Sequence, residues 1–254
     1  MAERQFKRYT LNEFAAYLRT FPDKVRFSEV HVHHTYEPTI ADYRRQANKE
    51  NLIRAMWRYH TKTRGWQDIA QHATVDPDGY IWGGRSLSDP PASATGYNDS
   101  DADRVHPFMF EMIGNFDNGQ EKLEGAQLQT VLGLVAAVID IWGLALKHIR
   151  FHREMTPSKS CPGTSLVKED FIAQVNQAIK ARRGGTVMPA AASKPTLPEI
   201  EERIRVILNE NKNMTGYLIE GTTYVPLRQL AEALGAQIGW SPESRTATVT
   251  TEGD

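Results

Sequence analysis

Residues 25–35 read VRFSEVHVHHT. In the second half of this stretch Val30 and Val32 face away from His31 and His33, and His34 turns to the opposite side from those two histidines. That alternation predicts a β-strand over Val25–Thr35 with an imidazole-bearing face and an apolar face. Working outward, Lys49–Thr63 sets Leu52, Ile53, Met56, Trp57 and His60 at helical spacing. Gln71–Ile81 reads as a strand pair about the turn Asp76-Pro77-Asp78-Gly79, whose residues suit a tight reversal. Phe108–Phe116 is short and apolar, as a buried strand is. Leu123–His148 predicts a long apolar helix and Glu169–Ile179 another. Near the N-terminus Thr10 caps a short helix that puts Phe14, Tyr17 and Leu18 on one side. Strands interleaved with helices predict an α/β domain, a mixed central sheet flanked by helices.

The 254-residue length allows one large domain or two unequal ones. With 40% hydrophobic and 24% charged residues, the chain is neither disordered nor collagen-like. A single cysteine excludes an internal disulfide. Thirty basic against 31 acidic residues leave a net charge of −1, so no bulk field draws the chain to nucleic acid or an anionic membrane. Nothing in these features specifies an oligomer. Met1–Arg19 lacks the apolar core of a secretory signal, and the expectation is synthesis in the cytoplasm without an export device. Val131–Leu146, interrupted by Asp140, falls short of the roughly 20 residues that cross a bilayer and predicts a buried core helix. Lys180–Pro198, KARRGGTVMPAAASKPTLP, has linker composition. It separates residues 1–179, which hold all eight histidines and the cysteine, from residues 199–254.

Three positions carry metal-ligand chemistry. His33 lies in VHVHHT, His152 in IRFHREM and Cys161 in PSKSCPG. Two imidazoles and a thiolate make a three-ligand Zn²⁺ set with a fourth position open to water or substrate. Spacing alone does not choose among His31, His33 and His34.

The stretches VHVHHT, GWQDIAQHATVDPDGYIWGGR, GYN, MFEMIGNFD and HREMTPSKSCPG occur in one order between Ser28 and Leu166. Together they resemble the type 2 N-acetylmuramoyl-L-alanine amidases, the zinc family that includes phage lysins, muropeptide amidases and peptidoglycan recognition proteins. The resemblance implies His33, His152 and Cys161 as zinc ligands, with Lys159 facing the scissile carbonyl. His31 becomes a support behind the ligands or a cleft wall, and His34 a packing residue. Many members place a tyrosine beside the metal-bound water, but here the block reads Ala70-Gln71-His72-Ala73. Muropeptide amidases use a strand glutamate instead, which in Phe110-Glu111-Met112-Ile113-Gly114 is Glu111, the expected general base. A carboxylate between two apolar neighbours is costly unless it is paired or functional. Arg85 and Asn98 match positions at the cleft, and Gln71 and His72 either line it or hydrogen-bond behind it.

In the second part, Glu199–Leu208 has helical spacing through Ile200, Ile204, Ile207 and Leu208. Two short strands follow over Tyr217–Val225 about Glu220-Gly221, then a helix over Leu227–Leu234 ended by Gly235. Ala236–Trp240 and Thr246–Thr250 read as strands about Ser241-Pro242-Glu243-Ser244. This small α+β domain resembles the copper amine oxidase N-terminal-like (stalk) domain of cell-surface proteins, without a copper ligand set. Tyr217, Tyr224 and Trp240 are sugar-stacking candidates or core aromatics. The resemblances imply a zinc-dependent amidase that cuts between N-acetylmuramic acid and L-alanine, with peptidoglycan as its partner. An endolysin reaching the wall after lysis fits best. A bacterial autolysin and a non-catalytic peptidoglycan-binding protein are the alternatives, and the presence of Cys161 weighs against the latter.

Overall fold

The computed structural model describes residues 4–101, 103–183, 202–208, 212–219, 222–241 and 246–251. The chain divides into two compact units, Met1–Ser193 and Lys194–Asp254.

The first unit is built on a six-stranded mixed sheet. Its strands are β1 (Arg8–Tyr9), β2 (Arg26–His34), β3 (Ala73–Val75), β4 (Ile81–Gly83), β5 (Val105–Met112) and β6 (Ile149–Phe151), in the order β1-β4-β3-β5-β2-β6. β5, β2 and β6 run parallel, and the β1, β4 and β3 pairings on one edge are antiparallel. The helices are α1 (Leu11–Leu18), α2 (Ile40–Arg45), α3 (Glu50–Arg58), α4 (Gly125–Trp142), α5 (His152–Met155) and α6 (Lys168–Arg183). The expected mixed α/β architecture is therefore present.

Strand alternation sorts the two faces. Phe27, Val30 and Val32 of β2 and Phe108, Phe110 and Met112 of β5 join one core with α1, α4 and α6 residues such as Phe14, Val135 and Phe171. A register shift between Phe27 and Val30 lets residues three apart share that face. The opposite face packs Leu52, Ile53 and Met56 of α3 with Tyr43, Trp82 and Ile113. His31, His33 and Glu111 take the alternate positions to that first core, on the second face.

Local chemistry explains several boundaries. Thr10 Oγ1 accepts from the Glu13 amide at 3.3 Å while Glu13 accepts from the Thr10 amide at 2.7 Å, the capping box that starts α1. α4 is apolar and long enough by composition to cross a membrane, yet 61% of it is buried inside the fold. It stops at Trp142, short of the expected His148, because Gly143 adopts φ 66° and closes the helix. A 3₁₀ turn, Leu146–His148, covers the rest. α6 extends to Arg183, past the expected boundary at Ile179. Its last turn is held by Asp140 of α4, which pairs with Arg182 at 3.4 Å and Arg183 at 2.8 Å. The remainder of the expected linker, from residue 184, lies outside the described residues.

The second unit contains β7 (Glu202–Leu208), β8 (Lys212–Ile219) and β9 (Thr222–Tyr224) as an antiparallel meander, α7 (Leu227–Ala233), and the hairpin β10 (Gln237–Ser241) with β11 (Thr246–Thr250). One expectation is overturned: Glu199–Leu208 was predicted as a helix, but Glu202–Leu208 is a strand. The helical set Ile204, Ile207, Leu208 competes with an alternating set, Ile204, Val206, Leu208, set against Arg203 and Arg205. β-branched residues and seven paired positions along β8 favour the extended form. The expected turns about Glu220-Gly221 and Pro242–Ser244 lie outside the described residues.

Candidate metal centre

The parallel strands β2, β5 and β6 end at one place. His33 is the penultimate residue of β2, Glu111 is its register partner in β5, and His152 follows directly on β6. Ligands of α/β sheets bind at such carboxyl ends, where loops and strand tips converge. The loop after α5 returns Cys161 to the same point. There the His34 amide donates to Cys161 Sγ at 3.3 Å.

The metal-ligand atoms of His33, His152 and Cys161 all lie within 4.8 Å of one another. A tetrahedral ion about 2.0–2.3 Å from each donor sets the donors about 3.5 Å apart, which small side-chain rotations reach. The donor set therefore fits a metal ion of the zinc type. The imidazole rings of His33 and His152 have centroids 4.4 Å apart. These groups floor a cavity of about 430 Å³ whose walls include Tyr36, Trp66, Met109 and Lys159.

Burial dominates the electrostatics. It drives the His33 imidazole well below its ordinary range, with the neighbouring His152 adding to the effect. Burial and then the Lys159 charge bring His152 down to about 4. Burial pushes the Cys161 thiol far up and the Glu111 carboxyl up to about 8. Two neutral imidazoles and a thiol are what neutral pH leaves for a cation to engage, and a bound cation would draw both acids back down.

Of the residues expected from sequence, the structure brings His33, His152, Cys161, Glu111 and Lys159 onto one cavity. Arg85, Asn98, His72 and His31, expected at or behind the cleft, do not line this cavity. Arg85 donates instead to the carbonyls of Ile69 at 2.9 Å and Pro90 at 3.0 Å, clamping the following loop. His72 is buried behind β5, its Nε2 on Asp89 O at 2.9 Å and its Nδ1 accepting from the Met109 amide at 3.1 Å. Asn98 Oδ1 accepts from the amides of Ser93 at 2.8 Å and Ala94 at 2.9 Å. His31 lies fully buried behind His33, hydrogen-bonded to Ser93 and Glu29. Gln71 is buried and bonded to Thr74 Oγ1 at 2.8 Å, and it does not line the cavity. Sequence reading overlooked Ser93, whose Oγ lies 2.8 Å from His33 Nε2. Only tertiary folding brings it there, across a separation of 60 residues. Tyr36, two residues after the histidine pair, was the more legible omission.

Gly163 shapes the cysteine loop. It adopts φ +119°, and a Cβ there would fall 2.3 Å from Phe116 O. Gly163→Ala is expected to destabilise the first unit by about 2–3 kcal/mol, from backbone strain and overpacking together. Thermal unfolding should then begin roughly 5–10 °C lower.

Residues 23–164 match the family model described as N-acetylmuramoyl-L-alanine amidase, and residues 207–254 match the copper amine oxidase N-terminal domain. Among curated proteins, the Homo sapiens N-acetylmuramoyl-L-alanine amidase is 30% identical over 141 residues, 54% of this chain and 22% of that protein. Peptidoglycan-recognition protein SC2 of Drosophila melanogaster is 25% identical over 111 residues, 44% of this chain and 56% of that protein. The chain thus spans about a fifth and about half of the lengths of these two relatives. Among solved structures, the endolysin N-acetylmuramoyl-L-alanine amidase from Clostridium intestinale URNW has 21% identity and a TM-score of 0.45, covering 60% of this chain and 84% of that one. A peptidoglycan recognition protein-LE in complex with tracheal cytotoxin has 26% identity and a TM-score of 0.46, covering 58% and 79%.

Proposed function

The chain belongs to the N-acetylmuramoyl-L-alanine amidase family, and from that premise we propose that it hydrolyses the amide bond between N-acetylmuramic acid and L-alanine in peptidoglycan with the help of zinc. The observation that carries this reading is the convergence of His33, His152 and Cys161 within 4.8 Å beside Glu111 and Lys159. Zinc held by those three residues would supply Lewis-acid chemistry, polarising the amide carbonyl and acidifying water. Glu111 accepts the proton of the attacking water and hands it to the leaving L-alanine nitrogen. Drawn down from about 8 by a bound cation, the Glu111 carboxyl would be suited to both transfers near neutral pH. Lys159 places an ammonium where negative charge develops on the carbonyl oxygen. Tyr36, about half exposed, and Trp66 offer ring surfaces along the cavity wall against which sugar and peptide can lie.

In this proposal the unit that ends with α6 at Arg183 is catalytic, and residues 199–254 bind the wall. Support for the last part comes from Tyr217 and Tyr224, which face each other across β8 and β9 with Tyr224 51% exposed. The pairing of a hydrolase unit with a separate wall module supports an endolysin that meets its substrate after lysis.

Purified wall incubated with the full chain, as isolated, after chelation and after zinc restoration, tests the reading. New L-alanine amino termini should appear, vanish on chelation and return with zinc, with no gain in reducing sugars. Reducing ends would make the protein a glycosidase. Sedimentation with the wall and neither product would make it a binding protein.

A further inference from the structure

Behind the metal centre runs a continuous line of hydrogen bonds. Arg150 Nη1 donates to Glu29 Oε1 at 3.3 Å. Glu29 Oε2 lies 2.8 Å from His31 Nε2, His31 Nδ1 lies 2.9 Å from Ser93 Oγ, and Ser93 Oγ lies 2.8 Å from His33 Nε2. His31 and His33 are buried, and Glu29 is 28% exposed, so the line runs from the protein surface to a metal ligand. Each member is held in place by the fold. His31 and Arg150 are register partners in β2 and β6. The Ser93 loop hangs from the Asn98 carboxamide, and the Arg150 guanidinium lies 5.6 Å from the centroid of the Tyr97 ring in that loop.

Proton counting gives this line a direction. A carboxylate paired with arginine only accepts, so His31 must carry its proton on Nε2. A neutral imidazole has one N–H, which leaves His31 Nδ1 as an acceptor. Ser93 has one hydroxyl proton and must give it to that nitrogen. The serine oxygen can then only accept from His33, so His33 carries its proton on Nε2 and keeps a bare lone pair on Nδ1. We propose that Glu29, His31 and Ser93, anchored by Arg150, are a positioning relay that fixes the tautomer and ring orientation of His33 so that Nδ1 is the metal-binding atom. The proposal rests on the reading of His33 as a ligand. Outer hydrogen bonds to ligating histidines are usually worth 10–100-fold in metal affinity. Here a single carboxylate sets three successive bonds.

Two disruptive variants, a conservative one and one direct observation test the relay, all in the full chain. Ser93→Ala removes the link. Glu29→Gln keeps the shape but presents an amide that can donate to His31 as well as accept, which removes the direction. Zinc affinity, measured by competition with a chromophoric chelator, should fall about 10–100-fold in Ser93→Ala and at least several-fold in Glu29→Gln, while Ser93→Thr recovers most of the loss. Long-range ¹⁵N–¹H correlation of the histidine rings should show His33 protonated at Nε2 in the wild type and mixed in Glu29→Gln. Should Ser93→Ala fail to fold, the other two measurements still decide. A wild-type His33 protonated at Nδ1, or both variants binding zinc as tightly as the wild type, overturns the relay alone. A wild-type chain that takes up no zinc overturns the metal centre, and the relay with it.

Discussion

Cys161→Ser is expected to abolish zinc retention and amidase activity together. The serine hydroxyl stays protonated where the thiol can ionise onto a cation, so the exchange removes the one anionic ligand from a three-residue set. Loss of Lewis-acid stabilisation worth several kcal/mol corresponds to a fall in wall hydrolysis of about 10³-fold or more. Metal analysis after dialysis should give about one zinc per wild-type chain and close to none per variant. The fold should survive, since one heavy atom of similar size replaces another beneath the His34 amide. Chelated wild type and variant should therefore melt within a few degrees of each other. A serine variant that keeps zinc and turnover takes Cys161 out of the centre.

The same ligands set the pH response. Burial holds the thiol above its ordinary range and the imidazoles below theirs, His152 at about 4. Between those limits the imidazoles bind a cation without losing a proton, and only the thiol must give one up. Apparent zinc affinity should rise about tenfold per pH unit, roughly 1.4 kcal/mol. Titration calorimetry in buffers of different ionisation enthalpy should count about one proton released per zinc.

Glu111→Gln is expected to leave zinc bound while lowering turnover by about 10²–10⁴-fold, the range for a lost general base. Glutamine keeps the size of the side chain and removes only its capacity to take a proton. Among the described residues no hydrogen bond or ion pair engages the Glu111 carboxyl, so the change strands no partner. Stability gives a second readout. The folded pKa of about 8 exceeds the ordinary carboxyl value, so the folded chain holds more protons than the unfolded chain between those values. Stability of the chelated wild type should then fall as pH rises through that window, and the glutamine variant should lack the slope. Near-normal turnover in Glu111→Gln would remove Glu111 from the base role. A residue that lowers stability while serving the reaction is a common feature of active sites.

How much of this was legible beforehand depended on the range of the interactions. Val30, Val32 and the alternating histidines announced β2 because a strand's period is written in consecutive residues. The Asp76–Gly79 turn and the Thr10 cap were readable for the same reason. Glu202–Leu208 was not, since its apolar residues satisfy a helical and an alternating pattern, and the choice fell to pairing with β8. The extent of α6 depended on Arg182 and Arg183 finding Asp140, 42 and 43 residues away.

The candidate site divides along the same line. Residue types marked the histidines and Cys161 as donors in general, and the resemblance of five ordered segments to the amidase family singled out His33, His152, Cys161, Glu111 and Lys159 as candidates. What surrounds them could not be read this way. Arg85, His72, Asn98 and His31 have the polar character of cleft residues, but the fold assigns them to carbonyl clamps, a buried strand bond, a loop anchor and the bonds behind His33. Ser93, with no distinguishing neighbours in the chain, meets His33 across 60 residues. Sequence alone thus named the candidate groups for the chemistry. Tertiary structure decided which of them meet and which way each hydrogen bond points, because those depend on distances that only packing sets.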